Sequence, residues 1–274
     1  ASDVYKRQVL NIAAENDFTV AYCHDSVYAL TPIWATLQAK AFGAALSAIY
    51  VVHATALTHE MPLPNPERLM VESACVHWAK VNSGCKLGKI SEFIAEHLVR
   101  DYGAEPDTIV PTGNGVNPGE PRYRIRSQEE IEAKLRQFDI PLDKPIIFSW
   151  GRSVPYKRFD VVLKAAARLK GRAHVVLEVS PKYEDLIKLN DDLGLGASLI
   201  FTFDPELVSC LVQWKNTRIC PFLAINEPCG LTPMETRILS RKSGGLVLVS
   251  NTGGLLEQVT DGVDGFVAEQ DNVE

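Results

Sequence analysis

The sequence predicts an α/β protein of two domains, each built on a parallel sheet covered by helices. Three observations carry this expectation. Short runs rich in β-branched residues alternate with amphipathic stretches from Thr19 to Ser250. Several runs, such as Leu246 to Ser250, are apolar at successive positions, as strands buried on both faces must be. At 274 residues the chain is long enough for two domains of ordinary size.

The elements follow in order. The opening Ala1 to Gln8 leads straight into a helical pattern with no strand before it and resembles translated adapter sequence, so it is given no structural weight. Strands are expected at Thr19 to Tyr22 and Ala48 to Val52. The apolar stretch Ala41 to Val52 is about half of the ~20 residues that a membrane span needs and is broken by Gly43, so it predicts a buried helix followed by a strand. Ser91 to Tyr102 predicts a helix closing at Gly103, with a strand at Ile109 to Val110.

Between Pro111 and Pro145 the pattern turns to Gly, Pro and charge around a helix from Ser127 to Phe138. The domain junction is expected there, giving an N-terminal domain over 1–118, a linker over 119–144 and a C-terminal domain over 145–274. In the second domain, strands at Ile146 to Ser149, His174 to Val179, Leu199 to Phe203, Thr217 to Cys220 and Leu246 to Ser250 are expected. Helices at Val161 to Leu169 and Glu184 to Leu193 alternate with them, stopping at Gly171 and Gly194. Asp271 to Glu274 reads as a cap whose helix is cut away, so a fragment truncated at both ends is expected.

A net charge of −6 leaves no basic surplus for a nucleic-acid backbone, although Arg122, Arg124 and Arg126 form a local cluster. The six cysteines show no C-x-x-C pair and no neighbouring His spacing, which argues against both a zinc site and a disulfide framework. A reducing cytoplasm, no cofactor and no bound metal are the corresponding expectations.

Two segments have the composition of ligand sites. After the strand at Ile146, the loop Gly151-Arg152-Ser153-Val154-Pro155-Tyr156-Lys157 places cations beyond a strand's carboxyl end, where Arg152 and Lys157 can neutralise a diphosphate; a solvated basic loop is the alternative. The second segment runs from Arg218 through Glu227-Pro228-Cys229-Gly230-Leu231-Thr232-Pro233-Met234-Glu235. Thr232 reads as an N-cap, Pro233 as the first helical residue and Glu235 as the partner that closes a capping box. Glu235 thus has a structural explanation, whereas Glu227, in the loop before the helix, has none. The backbone N–H groups of Cys229, Gly230 and Leu231 approach a helix N-terminus, which favours anionic groups.

The Glu-Pro-Cys-Gly-Leu-Thr-Pro-Met-Glu run resembles the motif of two glutamates separated by seven residues in the large retaining glycosyltransferase family of GT-B fold, which includes mannosyltransferases and sucrose-phosphate synthases. The Gly151 to Lys157 loop resembles that family's diphosphate-binding segment. Ser250 to Glu257 followed by Asp261 to Phe266 resembles its C-terminal signature. In the first half, Val20 to Asp25, Tyr50 to Thr55 and Asn114 to Asn117 are similar to further family segments. Asn117 replaces an Asp of the family turn, and Cys229 stands where an aromatic residue is common.

The resemblance implies two Rossmann-like domains facing a cleft, the N-terminal one taking the acceptor and the C-terminal one the nucleotide sugar. It implies that Arg152 and Lys157 bind the donor diphosphate, Glu235 the ribose and Glu227 the donor sugar. The N–H groups of Cys229, Gly230 and Leu231 are expected at the sugar and phosphate. His53 is expected to position reacting hydroxyls, with His24 and Asp25 on the acceptor side. The Gly253-Gly254 pair is expected to make a turn, and His59 and Glu60 to lie in a solvated loop.

The expected reaction is transfer of a hexosyl group from a UDP-, GDP- or ADP-hexose to a sugar, glycoside or lipid-linked hydroxyl, with retention of configuration. The alternatives are a non-catalytic nucleotide-sugar-binding protein, or a GT-B relative such as an epimerase or a phosphorylase. A phosphorylase needs a lysine carrying pyridoxal phosphate, and no segment supports one. A dehydrogenase is disfavoured because no G-x-G-x-x-G follows a strand.

Overall fold

The computed structural model describes residues 2–60 and 63–273. Ala1, Met61, Pro62 and Glu274 lie outside them, and with them the first residue of the opening stretch and the last of the terminal cap motif. The chain divides into two compact units, Ala1–Asn114 and Gly115–Glu274.

The first unit runs α1 (Ser2–Ala14), β1 (Thr19–His24), α2 (Thr31–Phe42), β2 (Leu46–Val52), α3 (Ala56–His59), α4 (Pro66–Val81), β3 (Cys85–Lys89), α5 (Glu92–Tyr102) and β4 (Ile109–Pro111). Its sheet has the order β1-β2-β3-β4, with every pair parallel. Gly43 ends α2 at φ 69°, a conformation that only glycine adopts without strain. Asn65 opens α4 by accepting the N–H groups of Glu67 and Arg68. Tyr50, Leu87, Ile94 and Leu98 are fully buried.

Strand β3 has no counterpart among the strands expected from the sequence. Cys85-Lys86-Leu87-Gly88-Lys89 has two charges and a glycine, a poor strand composition. It is a strand because Cys85, Leu87 and Gly88 are buried between β2 and β4. A Cβ at Gly88 would stand 2.7 Å from Thr112 Cγ2, so the close approach itself demands glycine.

The second unit runs α6 (Gln128–Arg136), β5 (Ile146–Arg152), α7 (Phe159–Ala167), β6 (His174–Ser180), α8 (Glu184–Asp192), β7 (Ser198–Ile200), α9 (Pro205–Gln213), β8 (Thr217–Phe222), α10 (Leu231–Leu239), β9 (Leu246–Ser250) and β10 (Phe266–Ala268). Its six strands pair in parallel in the order β10-β9-β8-β5-β6-β7. The short β10 has no counterpart among the expected strands either.

Residues 119–144, expected to be a linker, are part of this second unit. The reason is burial: Tyr123, Ile131, Leu135 and Ile140 enter the same apolar cluster as Phe148, Trp150 and Leu211. Ser127 opens α6 with a reciprocal capping box to Glu130, and Ile131 and Leu135 then share the face that meets the core.

The strand order fixes where a ligand can enter. From β5 the chain proceeds outward through β6 and β7 on one side, while β8, β9 and β10 build the other. The connections leaving β5 and β8 therefore diverge, and a crevice opens beyond their carboxyl ends.

Candidate functional site

Both ligand segments leave the sheet at that reversal. Lys157 ends the short 3₁₀ turn Pro155–Lys157 after β5, and Glu227 lies in the loop after β8. Lys157 Nζ donates to Glu227 Oε2 at 2.7 Å. Both side chains are more than four-fifths buried, at 19% and 15% exposure, so the pair is poorly screened by solvent. Arg152, at the end of β5, is exposed and donates from Nη2 to Tyr156 Oη at 2.9 Å.

Glu227 is held by its backbone. The N–H of Gly254 donates to Glu227 O at 2.7 Å. A Cβ on Gly253 would stand 2.7 Å from Glu227 O, and one on Gly254 2.2 Å from Pro228 O. Instead of an isolated turn, the glycine pair opens the 3₁₀ helix Gly253–Gln258, with Gly253 at φ 63°, and lets two backbones touch at Glu227 and Pro228.

The expected capping box at Glu235 does not form. Helix α10 begins at Leu231 with Gly230 as its N-cap, and no side chain caps it. Thr232 is therefore inside the first turn, where its carbonyl accepts the Thr236 hydroxyl at 2.8 Å. The Glu235 carboxylate instead receives the Tyr123 hydroxyl at 2.9 Å, with Arg122 Nη1 at 3.5 Å. Burial and the Glu235 charge push the Tyr123 hydroxyl well above its ordinary pKa, so it stays a donor. A pocket borders this carboxylate, with Trp150 and Phe203 among its walls.

Cys229 and Gly230 are buried immediately before α10, and Leu231 is exposed at its first turn. Burial pushes the Cys229 thiol up to about 11, so it adds no negative charge beside the helix N-terminus. The three arginines of the local cluster are committed within this unit. Arg122 pairs with Glu120, Arg124 with Glu130, and the buried Arg126 donates to Ser209.

In the first unit, β1 ends at His24 and His53 directly follows β2, so adjacent parallel strands deliver two imidazoles to the same edge. His24 Nδ1 and His53 Nε2 are 2.9 Å apart. Burial, then the neighbouring His24, lowers the His53 pKa, while Asp25 opposes them. Asp25 sits at φ 67° and accepts the Ser26 N–H at 2.7 Å. The segment after His53 is tied down by Arg68, which donates to Ala54 O at 3.0 Å, Glu60 at 2.9 Å and Glu72 at 2.8 Å. His59 thus closes helix α3, and Glu60 is pinned by Arg68 and by the Asn65 N–H. Asn117 accepts the Gly119 N–H at 3.0 Å and so stabilises its own turn.

Sequence reasoning missed Tyr123, Arg68 and Glu178. Tyr123 acts through a partner 112 residues along the chain, so no local pattern could reveal it, whereas Arg68 pairs with Glu72 at an i,i+4 helical spacing that the sequence displays. Glu178 carried a signal: a carboxyl among Val176, Leu177 and Val179 in a strand expected to be buried on both faces.

Two parallel Rossmann-like sheets, the second with a cation and a carboxylate meeting at its strand reversal, define the chain as a protein of the GT-B glycosyltransferase fold. A glycosyltransferase from Rickettsia africae superposes with a TM-score of 0.73 at 21% identity, covering 98% of this chain and 67% of its own. The HepE protein of Anabaena, solved with UDP and glucose, gives 0.75 at 16% identity over 98% and 68%. Sucrose-phosphate synthase from Thermosynechococcus elongatus gives 0.74 at 17% identity over 98% and 65%.

Residues 130–274, more than half of the chain, match the family Glycosyl transferases group 1, and the chain belongs to that family. The D-inositol 3-phosphate glycosyltransferase of Nocardia farcinica is 32% identical over 187 residues, covering 63% of this chain and 39% of the relative. That of Mycolicibacterium paratuberculosis is 27% identical over 186 residues, covering 66% and 40%. The chain thus spans about two fifths of the length of the curated relatives it matches. Among the described residues no helix is long and apolar enough to cross a membrane.

Proposed function

We propose that this chain transfers a hexosyl group from a nucleotide-diphosphate sugar to a hydroxyl acceptor, with retention of configuration. The observation that carries the proposal is the buried Lys157–Glu227 pair, set where two diverging loops leave the sheet. In this reading Arg152 and Lys157 hold the diphosphate, Glu227 orients donor-sugar hydroxyls and Glu235 accepts the ribose hydroxyls.

Breaking the sugar–phosphate bond builds negative charge on the departing diphosphate, so cations fixed beforehand lower the barrier more than they tighten ground-state binding. The N–H groups of Cys229, Gly230 and Leu231 add the positive end of α10. No resident cofactor takes part. The acceptor oxygen attacks from the face that the diphosphate leaves, and a diphosphate oxygen takes the acceptor proton. His53, kept neutral by burial and by His24, positions a donor or acceptor hydroxyl, with His24 and Asp25 beside it.

The test is incubation with UDP-, GDP- and ADP-hexoses and a panel of hydroxyl acceptors, following nucleoside diphosphate release and the anomeric configuration of the product by NMR. Release with retained configuration is expected. An inverted product removes retention, and failure to bind or cleave any donor removes the whole reading.

A further inference from the structure

We propose that Glu178 selects the donor's base, and that the base it selects is guanine. The proposal rests on the donor-site reading above and adds to it a residue outside the two motifs.

Beyond the ends of β5, β6 and β7 lies an open pocket of about 330 Å³, bordered by Arg152, Glu178, Ser180, Thr202 and Phe203. That volume holds a purine with room to spare. Phe203 also borders the pocket beside Glu235, so the space next to the ribose glutamate continues into this one across a single ring. The ring is 62% exposed, which leaves an aromatic surface for a base to stack on. A nucleoside diphosphate with its phosphates at Arg152 and its ribose at Glu235 therefore extends its base along this wall.

The buried charged group of the wall is Glu178, only 1% exposed. Its Oε1 accepts the Asp204 N–H at 2.5 Å, while its Oε2 has no hydrogen-bond partner. The lysine that acts on it is spent elsewhere: Lys134 is paired with Asp204 at 2.8 Å and with Glu206 at 3.4 Å. Burial pushes the Glu178 carboxyl up to about 7, the mark of a group whose charge the protein alone leaves uncompensated. Its strand neighbours Val176, Leu177 and Val179 are apolar and buried, so this carboxyl is the exception in the strand.

Matching donors to acceptors decides the base. The guanine donors favour the ionised form of Glu178, which offers acceptors only, and each oxygen can accept more than one bond. Guanine presents adjacent N1–H and 2-amino donors, the complement of that edge. Uracil sets its single N3–H between two carbonyl oxygens that a carboxylate repels, and adenine places an acceptor beside its amino group. The Ser180 and Thr202 hydroxyls can donate to the guanine O6 acceptor.

Isothermal titration of the full chain with GDP, UDP, ADP, IDP and inorganic pyrophosphate tests the proposal. GDP is expected to bind about tenfold or more tighter than UDP or ADP, the order of discrimination one well-made base-edge pair supplies. IDP, which lacks the 2-amino group, should lose most of that advantage without any mutation. Glu178→Gln keeps the side chain's shape and an oxygen for the Asp204 N–H, and should bring GDP down to the level of UDP with pyrophosphate binding unchanged. Equal or tighter binding of UDP or ADP overturns the proposal, as does an undiminished GDP preference in Glu178→Gln. Either result leaves the donor-site reading standing if nucleoside diphosphates still bind. If neither pyrophosphate nor any nucleotide binds, both readings fall together.

Discussion

The Lys157 ammonium and the Glu227 carboxylate meet at 2.7 Å across the strand reversal of the second sheet, one from the loop after β5 and one from the loop after β8. Each neutralises the other before any ligand arrives. In the proposed donor site an entering diphosphate would share this cation, and the carboxylate would then be released toward neutral hydroxyls, to which it would make charge-assisted hydrogen bonds.

Glu227→Gln should therefore abolish transfer, lowering kcat by about a hundredfold or more, the scale for losing one preorganised charged group. Folding should change less than activity. Gln retains an acceptor for Lys157 but leaves a largely buried ammonium without its counter-charge, so the loss is about 1–3 kcal/mol, a Tm shift of roughly 3–10 °C. A folded and fully active variant removes the centre of the donor-site reading.

Tyr123→Phe deletes the hydroxyl that holds Glu235 at 2.9 Å and leaves Arg122 as its neighbour at 3.5 Å. The expected result is weaker nucleoside diphosphate binding, about three- to tenfold in Kd, for a hydrogen bond to a charged group. In the proposed site the ribose at Glu235 would be bound alike in ground and transition states, so KM should rise more than kcat falls. Calorimetry and steady-state kinetics on the same variant check both halves.

Gly254→Ala introduces a Cβ 2.2 Å from Pro228 O and 2.8 Å from Pro228 C, both backbone atoms that cannot swing aside. The loop carrying Glu227 must shift, costing about 2–4 kcal/mol of stability. Transfer should fall at temperatures where circular dichroism still reports a folded chain. Full activity in a folded Gly254→Ala chain would detach Glu227 from this turn.

Stability should carry the titration of Glu178. Its folded pKa of about 7 lies above the ordinary 4.5, so the native state binds the extra proton between those values. The corresponding stabilisation is complete below about pH 4.5 and is lost as pH rises through about 7. Glu178→Gln does not titrate. Relative to the parent it should gain stability across that window, by up to about 3 kcal/mol in urea denaturation. A difference independent of pH contradicts the buried, uncompensated carboxyl.

His53 should titrate below its ordinary value of 6.5, mainly through burial and secondarily through His24. Its neutral form then stabilises the fold fully above pH 6.5, and that contribution is lost as pH falls through the folded pKa. His24→Ala should raise the His53 value without restoring it, since burial is the larger cause. NMR titration of the imidazole resonances measures both shifts.

Alternation of β-branched runs and amphipathic helices, with glycines at helix ends such as Gly43 and Gly103, determined by itself an α/β chain on two parallel sheets. The same linear text supplied Arg152, Lys157, Glu227 and Glu235 as candidates, because loops at strand ends and helix starts are marked locally by Pro, Gly and charge. Tertiary structure alone decided what Glu235 touches. Local spacing offered a capping box, but the helix starts earlier, at Leu231, and the carboxylate is held by a tyrosine 112 residues away.

It also decided that the segment around α6 packs into the core of the second unit, since Ile131 and Leu135 form the apolar face of an amphipathic helix whose partner is α9. Strand β3 was hidden for the same reason. Two lysines and a glycine outvote Cys85 and Leu87 in a local window, yet the parallel neighbours bury those residues and leave room for nothing larger than Gly88. Period and punctuation are properties of adjacent residues, and a sequence states them directly. Which side chain completes another's hydrogen bond, or which carboxyl is left without a partner, depends on groups brought together from distant parts of the chain. Only the folded packing sets those pairings.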